Sequence, residues 1–375
     1  MKNKNKQSKN TQSLGLTVML FLIGAICGFA LVHYLDGVFE EHGFLIALVF
    51  KLLLFCVAYY LQLIIHEFGH LLGGLISGYG FGSFRIGSIM LIKENGKIKV
   101  KKHSVAGTAG QCLMTPPPIV DGKFPVILYN LGGVLLNLLT IPLFLCTAIV
   151  FRGVSIVYAM SVVMILSAFI TFITNGIPLK LGMVNNDGSN ACELYKSEEA
   201  RKVFHNQFMT VQELSCGKRL HDMPKEWFFM PSEEGLKNSI TVSGAVFREN
   251  RLIDEGKRDE ALELIDYLLN AETALIGLHR NLLICDKITI LLLRGEGEQV
   301  VRALYNDQQL EIFMKQMKNN ISILRTQYAY ALLCEKDENK AQKIKNLFEK
   351  TSLTHPYAPD VEAERELILE IEQAK

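Results

Sequence analysis

Apolar positions along this chain fall into long unbroken blocks before residue 177 and into a broken, charged pattern after it. The blocks at about 14–34, 44–77, 124–151 and 154–174 are each long enough for the roughly 30 Å hydrocarbon core of a bilayer, which predicts four transmembrane helices. The second block exceeds what the core needs, so part of it must tilt or emerge. Residues 82–105 alternate apolar and polar around Glu94-Asn95-Gly96-Lys97, and Asn-Gly between alternating runs predicts a small β-hairpin. That hairpin is either a plain surface element or a strand edge that receives an extended peptide. Residues 106–111 and Pro116-Pro117-Pro118 read as a structured loop.

Beyond residue 190 the period is helical, with helical stretches at 254–265, 275–294, 320–335 and 338–352. This predicts an α-helical membrane protein with a polar tail at 1–13, a transmembrane domain at 14–190 and an all-α soluble domain at 191–375. The spacing Gly256, Glu260, Ala261, Leu262, Glu263 faintly resembles a tetratricopeptide repeat, and a generic helical bundle is the other reading.

Charge sets the orientation. Net charge is only +1, which argues against a nucleic-acid partner. The tail and the 78–123 loop hold Lys2, Lys4, Lys6, Lys9, Arg85, Lys93, Lys97, Lys99, Lys101, Lys102 and Lys123, whereas the two opposite loops hold Arg152 alone. Both termini are therefore expected on the cytoplasmic side of a multi-pass cell-membrane protein. The lysine-rich tail and single tryptophan suit a bacterial host. The eight cysteines show no C-x-x-C spacing and read as reduced packing residues.

The chemistry lies in His66-Glu67-Phe68-Gly69-His70, set in the second apolar block. Residues four apart share a helix face, so His66 and His70 can reach one metal with Glu67 on its flank. Ionisable groups at membrane depth are costly enough to make a functional role the default reading. Lys51 snorkels to one interface and His66 lies about 22 Å further along, which puts the motif near the cytoplasmic boundary. A catalytic zinc site needs a third protein ligand. The last block breaks at Asn175-Gly176-Ile177-Pro178, which would leave Asp187 in irregular backbone on the same side, as the candidate ligand. Its bland alternative is a turn aspartate before Gly188. His103 and Asp121, both in the 78–123 loop, are weaker competitors.

With these residues in view, the chain resembles the site-2 protease family of intramembrane zinc metalloproteases. His66–His70 matches that family's first motif, and Asn175 and Pro178 followed by Asp187-Gly188 matches its second. Gly133 and Asn137 match a looser third. The likeness covers residues 43–190, the three-helix core. It implies one Zn2+ per chain on His66, His70 and Asp187, with Glu67 as general base. Asn137 would donate to the substrate or oxyanion, unless it is interhelical glue beside Gly133, and Asn175 with Pro178 would position an unwound substrate. The interval from Asn175 to Asp187 is a few residues longer than the family's compact form. The 78–123 loop has no room for a PDZ domain, and the helical soluble domain is unlike a cystathionine-synthase-type one.

The expected activity is hydrolysis of a peptide bond in a membrane-associated peptide or single-span protein, at the cytoplasmic leaflet of the lipid bilayer. The alternative is a non-proteolytic, metal-stabilised membrane adaptor whose helical domain binds a cytoplasmic protein. Glu67 argues against the adaptor, since a structural site has no use for a base. A membrane di-iron centre fails because the nine histidines form no second cluster in the spans.

Overall fold

A computed structural model describes residues 21–375, apart from 23, 27, 32, 37, 41, 42, 105–107, 179, 182 and 183. The expected tail at 1–13 and the start of the expected first span lie outside the described residues. The described residues between 21 and 34 are helical. Among the described residues three helices are long and apolar enough to cross a membrane. They are α1 (Phe44–Ile76), α2 (Ile127–Val150) and α3 (Ser155–Thr171), the last running on through a π-helical turn at Phe172–Gly176. Large apolar side chains such as Phe44, Leu53 and Leu139 are more than half exposed on them, as lipid contact allows.

The chain divides into two compact units, with the division in α1 between Gly69 and His70. One unit takes the residues up to Gly69 and Gly133–Ile177. Its core is built on small and branched residues, with Leu35, Ala58, Ala159 and Val163 fully buried and Ile65 and Phe144 packed against them. Alanine at the contact lets helix backbones approach closely, which is how helices associate where lipid removes the hydrophobic drive.

The second unit takes His70–Gly132 and Pro178–Lys375. It opens with β1 (Gly80–Ile86), β2 (Ile89–Glu94), β3 (Lys97–Lys102) and β4 (Gly110–Thr115), an antiparallel sheet of order β3-β2-β1-β4. The expected hairpin is its β2–β3 half. Asn95 and Gly96 both have positive φ, +47° and +80°, the type I′ turn that matches strand twist. The other half corrects the sequence reading, because β4 takes in Gly110-Gln111, expected in a loop, and pairs with β1.

After the short ladder of β5 (Lys180–Leu181) and β6 (Val184–Asn185), no strand follows among the described residues. Helices α4 (Asp187–Lys196), α5 (Glu198–Ser215), α6 (Thr241–Asp254), α7 (Arg258–Asn270) and α8 (Gly277–Leu293) come next. Then come α9 (Glu298–Tyr305), α10 (Gln308–Gln316), α11 (Ile321–Ala329), α12 (Glu338–Ser352) and α13 (Ala358–Gln373). The stretch at 254–265 is not one helix. Gly256, at φ +72°, breaks it into the end of α6 and the start of α7. Tyr79, Met114, Phe124, Tyr129, Leu194 and Phe204 share one core, which ties the sheet and the start of α2 to α4 and α5.

Candidate metal centre

His66 and His70 occupy successive turns of one face of α1, and both are nearly buried. Each ring is held through Nδ1. The His66 Nδ1–H donates to Asn137 Oδ1 at 2.8 Å, and the His70 Nδ1–H donates to the Tyr129 carbonyl at 2.8 Å. A carbonyl can only accept, so His70 carries its proton on Nδ1 and Nε2 is left to ligate.

The same reasoning fixes His66 through a chain of amides. Gln62 Nε2 donates to the Met164 carbonyl at 3.1 Å and to Thr140 Oγ1 at 3.0 Å, which leaves Gln62 Oε1 as an acceptor. Asn137 Nδ2 donates to that oxygen and to the Gln62 carbonyl, at 2.5 and 2.8 Å. Its Oδ1 must therefore accept, and the nitrogen facing it on His66 must carry the proton. Both amide hydrogens of Asn137 are thus used within the bundle, and the side chain is fully buried. The donor role expected of it toward substrate finds no hydrogen to offer in this arrangement.

Asp187 is where the backbone departs from expectation. It does not lie in irregular chain but opens the first turn of α4, with Asn186 as N-cap accepting from the Ser189 N–H at 2.9 Å. Its Oδ2 is 3.4 Å from His70 Nε2. Two acceptor atoms that close repel each other, and a proton or a cation between them relieves the repulsion. One ligand atom each from His66, His70 and Asp187 lie within 4.8 Å of one another, so the group could hold one metal ion. The donor set fits: two imidazoles and a carboxylate suit a borderline ion, and tetrahedral bonds of about 2.0–2.1 Å put ligand atoms roughly 3.3 Å apart. Glu67, beside His66, is buried as well.

Among the described residues no other cluster of metal-ligating groups occurs. His103 lies edge-on to the His355 ring at 5.6 Å, and Asp121, at φ +49°, sits in a turn before Gly122. Neither joins the centre. Asn175 lies in the π turn, its Nδ2 3.4 Å from Thr174 Oγ1, and exposed Pro178 follows the extended residue Ile177. The two partners missed in the sequence are Gln62 and Tyr129. The available signal for Gln62 is its place as a polar residue four before His66 in an apolar run. Tyr129 contributes a backbone carbonyl, which leaves no trace in residue type.

One glycine sets the approach of α2 to the motif: a Cβ on Gly133 would stand 2.7 Å from both the carbonyl oxygen and Cε1 of His66. No family model, curated protein or solved structure matches the chain.

Proposed function

We propose that this protein is a membrane-embedded zinc endopeptidase of the site-2 protease type, cutting a membrane-associated peptide or single-span protein near the cytoplasmic leaflet. The observation that carries the reading is the convergence of His66, His70 and Asp187, with both imidazoles fixed through Nδ1 beside the buried carboxylate of Glu67. A divalent zinc ion on these three residues would lower the pKa of a water it carried toward about 7 and polarise a carbonyl oxygen. Glu67 takes the proton of the attacking water and passes it to the leaving amine as the C–N bond breaks. Asn137 acts as a positioning residue, holding the His66 ring in the tautomer that leaves Nε2 unprotonated. Asn175 and Pro178 remain candidates for holding the unwound substrate chain.

The test is Glu67→Gln in the full chain. Zinc should stay at one per chain, while peptides released from the membranes of expressing cells lose the products seen with the parent. If the membrane peptides of the two strains are identical and zinc is retained, the metal-stabilised adaptor is the better reading.

A further inference from the structure

The helical part of the second unit forms a partly open cavity of about 420 Å³, which admits water. Its walls come mainly from α6, α8, α11 and α13. Six carboxylates line it against three arginines. Five are engaged: Arg219 holds Asp254 and Glu366, Arg258 holds Glu370, and Arg325 holds Asp286 and Glu364. The sixth, Asp360, has no hydrogen bond or ion pair among the described residues. Nearby, Glu249 is fully buried with neither carboxylate oxygen hydrogen-bonded, within electrostatic reach of Asp286, Arg325 and Glu364. His355, pushed down by burial, adds no charge at neutral pH. Burial, with Glu364 and Asp254 close by, raises the Asp360 carboxyl to about 7.

We propose that this cavity binds a basic peptide, seating a lysine or arginine side chain against Asp360. The excess of carboxylates over arginines selects a cation. Phe247, Leu282 and Tyr357 on the wall provide an apolar bed for an aliphatic stem that ends in charge. Asn250 lines the wall, and Asn320 caps α11 through its oxygen, leaving its Nδ2 as a donor. Side-chain amides of this kind match the carbonyls and N–H groups of a peptide main chain, whereas a polyamine has no acceptor to offer them. The cavity is also larger than one side chain needs. Neither His66, His70 nor Asp187 takes part.

The experiment uses the full chain in detergent and two fluorescent probes, a capped pentapeptide with a central lysine flanked by alanines and its glutamine counterpart. The lysine peptide should bind at least tenfold tighter than the glutamine peptide. Asp360→Asn should reduce lysine-peptide binding at least tenfold with thermal stability maintained or raised, since no ion pair is lost. Ala363→Phe, which fills the cavity from α13, should abolish binding. Equal binding of the two peptides, no binding up to millimolar concentration, or undiminished binding by both variants overturns the proposal. Spermidine that binds where the lysine peptide does not overturns the peptide as the source of the cation.

Discussion

Asn137 reaches His66 through a relay whose polarity is set at the far end, by the Met164 carbonyl acting on Gln62. Removing the amide with Asn137→Ala leaves the His66 Nδ1–H and the Gln62 oxygens buried without it. Loss of a partner of this kind lowers metal affinity about 10–100-fold, and unpaired buried groups destabilise by about 1–3 kcal/mol each. Competition with a zinc chelator should report the weaker binding, and unchanged affinity would detach Asn137 from the metal centre. Asp360 gives a second prediction at this scale. Its carboxyl is raised from 3.8 to about 7, so between these values the folded chain holds a proton that the unfolded chain has released. The folded state then binds more protons, and stability falls as pH rises through that window. Asp360→Asn should remove this slope and stabilise the protein at pH 8 by on the order of 1–2 kcal/mol, the full linkage value being discounted because the cavity admits water. Melting curves of parent and variant from pH 4 to 8 would decide it, parallel curves going against it.

At the level of elements, the contact of α1 with α2 is made by glycines that leave no room for a methyl group. A Cβ on Gly73 would lie 2.3 Å from the Leu128 carbonyl oxygen, and one on Gly133 would press on His66 itself. These neighbours are backbone or a held ring, so the helices must part. Gly133→Ala is therefore expected to lower zinc stoichiometry and peptide release with helix content unchanged, whereas Gly153→Ala, with nothing within 4 Å, should be silent. Metal analysis and circular dichroism of the two variants separate these outcomes. What could be read in advance follows from how local each cause is. The helices at 275–294 and 338–352 are written in a repeating apolar face, and the Asn95-Gly96 turn in two residues that tolerate positive φ. Strand β4 is not local, since its register with the neighbouring β1 pairs Gly80 with Thr115, far apart in sequence. Nor is the His66–Asn137 bond, which joins residues 71 apart. The N-cap at Asn186 was legible, because an Asn before Asp187-Gly188-Ser189 is a helix-start signal. The expectation of irregular backbone set the glycines and Pro178 above that cap.

For the whole molecule, the proposed orientation rests on the lysines of the 78–123 loop opposing Arg152, the sole basic residue between the last two spans. Retaining positive loops in the cytoplasm makes the arrangement of spans directional, and it assigns a side to every exposed thiol. Cys216, exposed just beyond α5, would face the cytoplasm in the proposed orientation. Cys56 and Cys146 are also exposed, but on α1 and α2, where surrounding lipid would suppress the reactive thiolate. A charged, membrane-impermeant maleimide should therefore label Cys216 in inside-out vesicles and spare it in intact cells, with Cys216→Ser removing most of the signal. Gly153→Cys, between α2 and α3, should show the reverse, reacting from outside the cell. Labelling of both thiols from the same face would break the proposed arrangement of spans, and an exchange of the two accessibilities would reverse the orientation. It would also remove the reason for assigning the His66 end of α1 to the cytoplasmic leaflet, while the convergence of His66, His70 and Asp187 would stand.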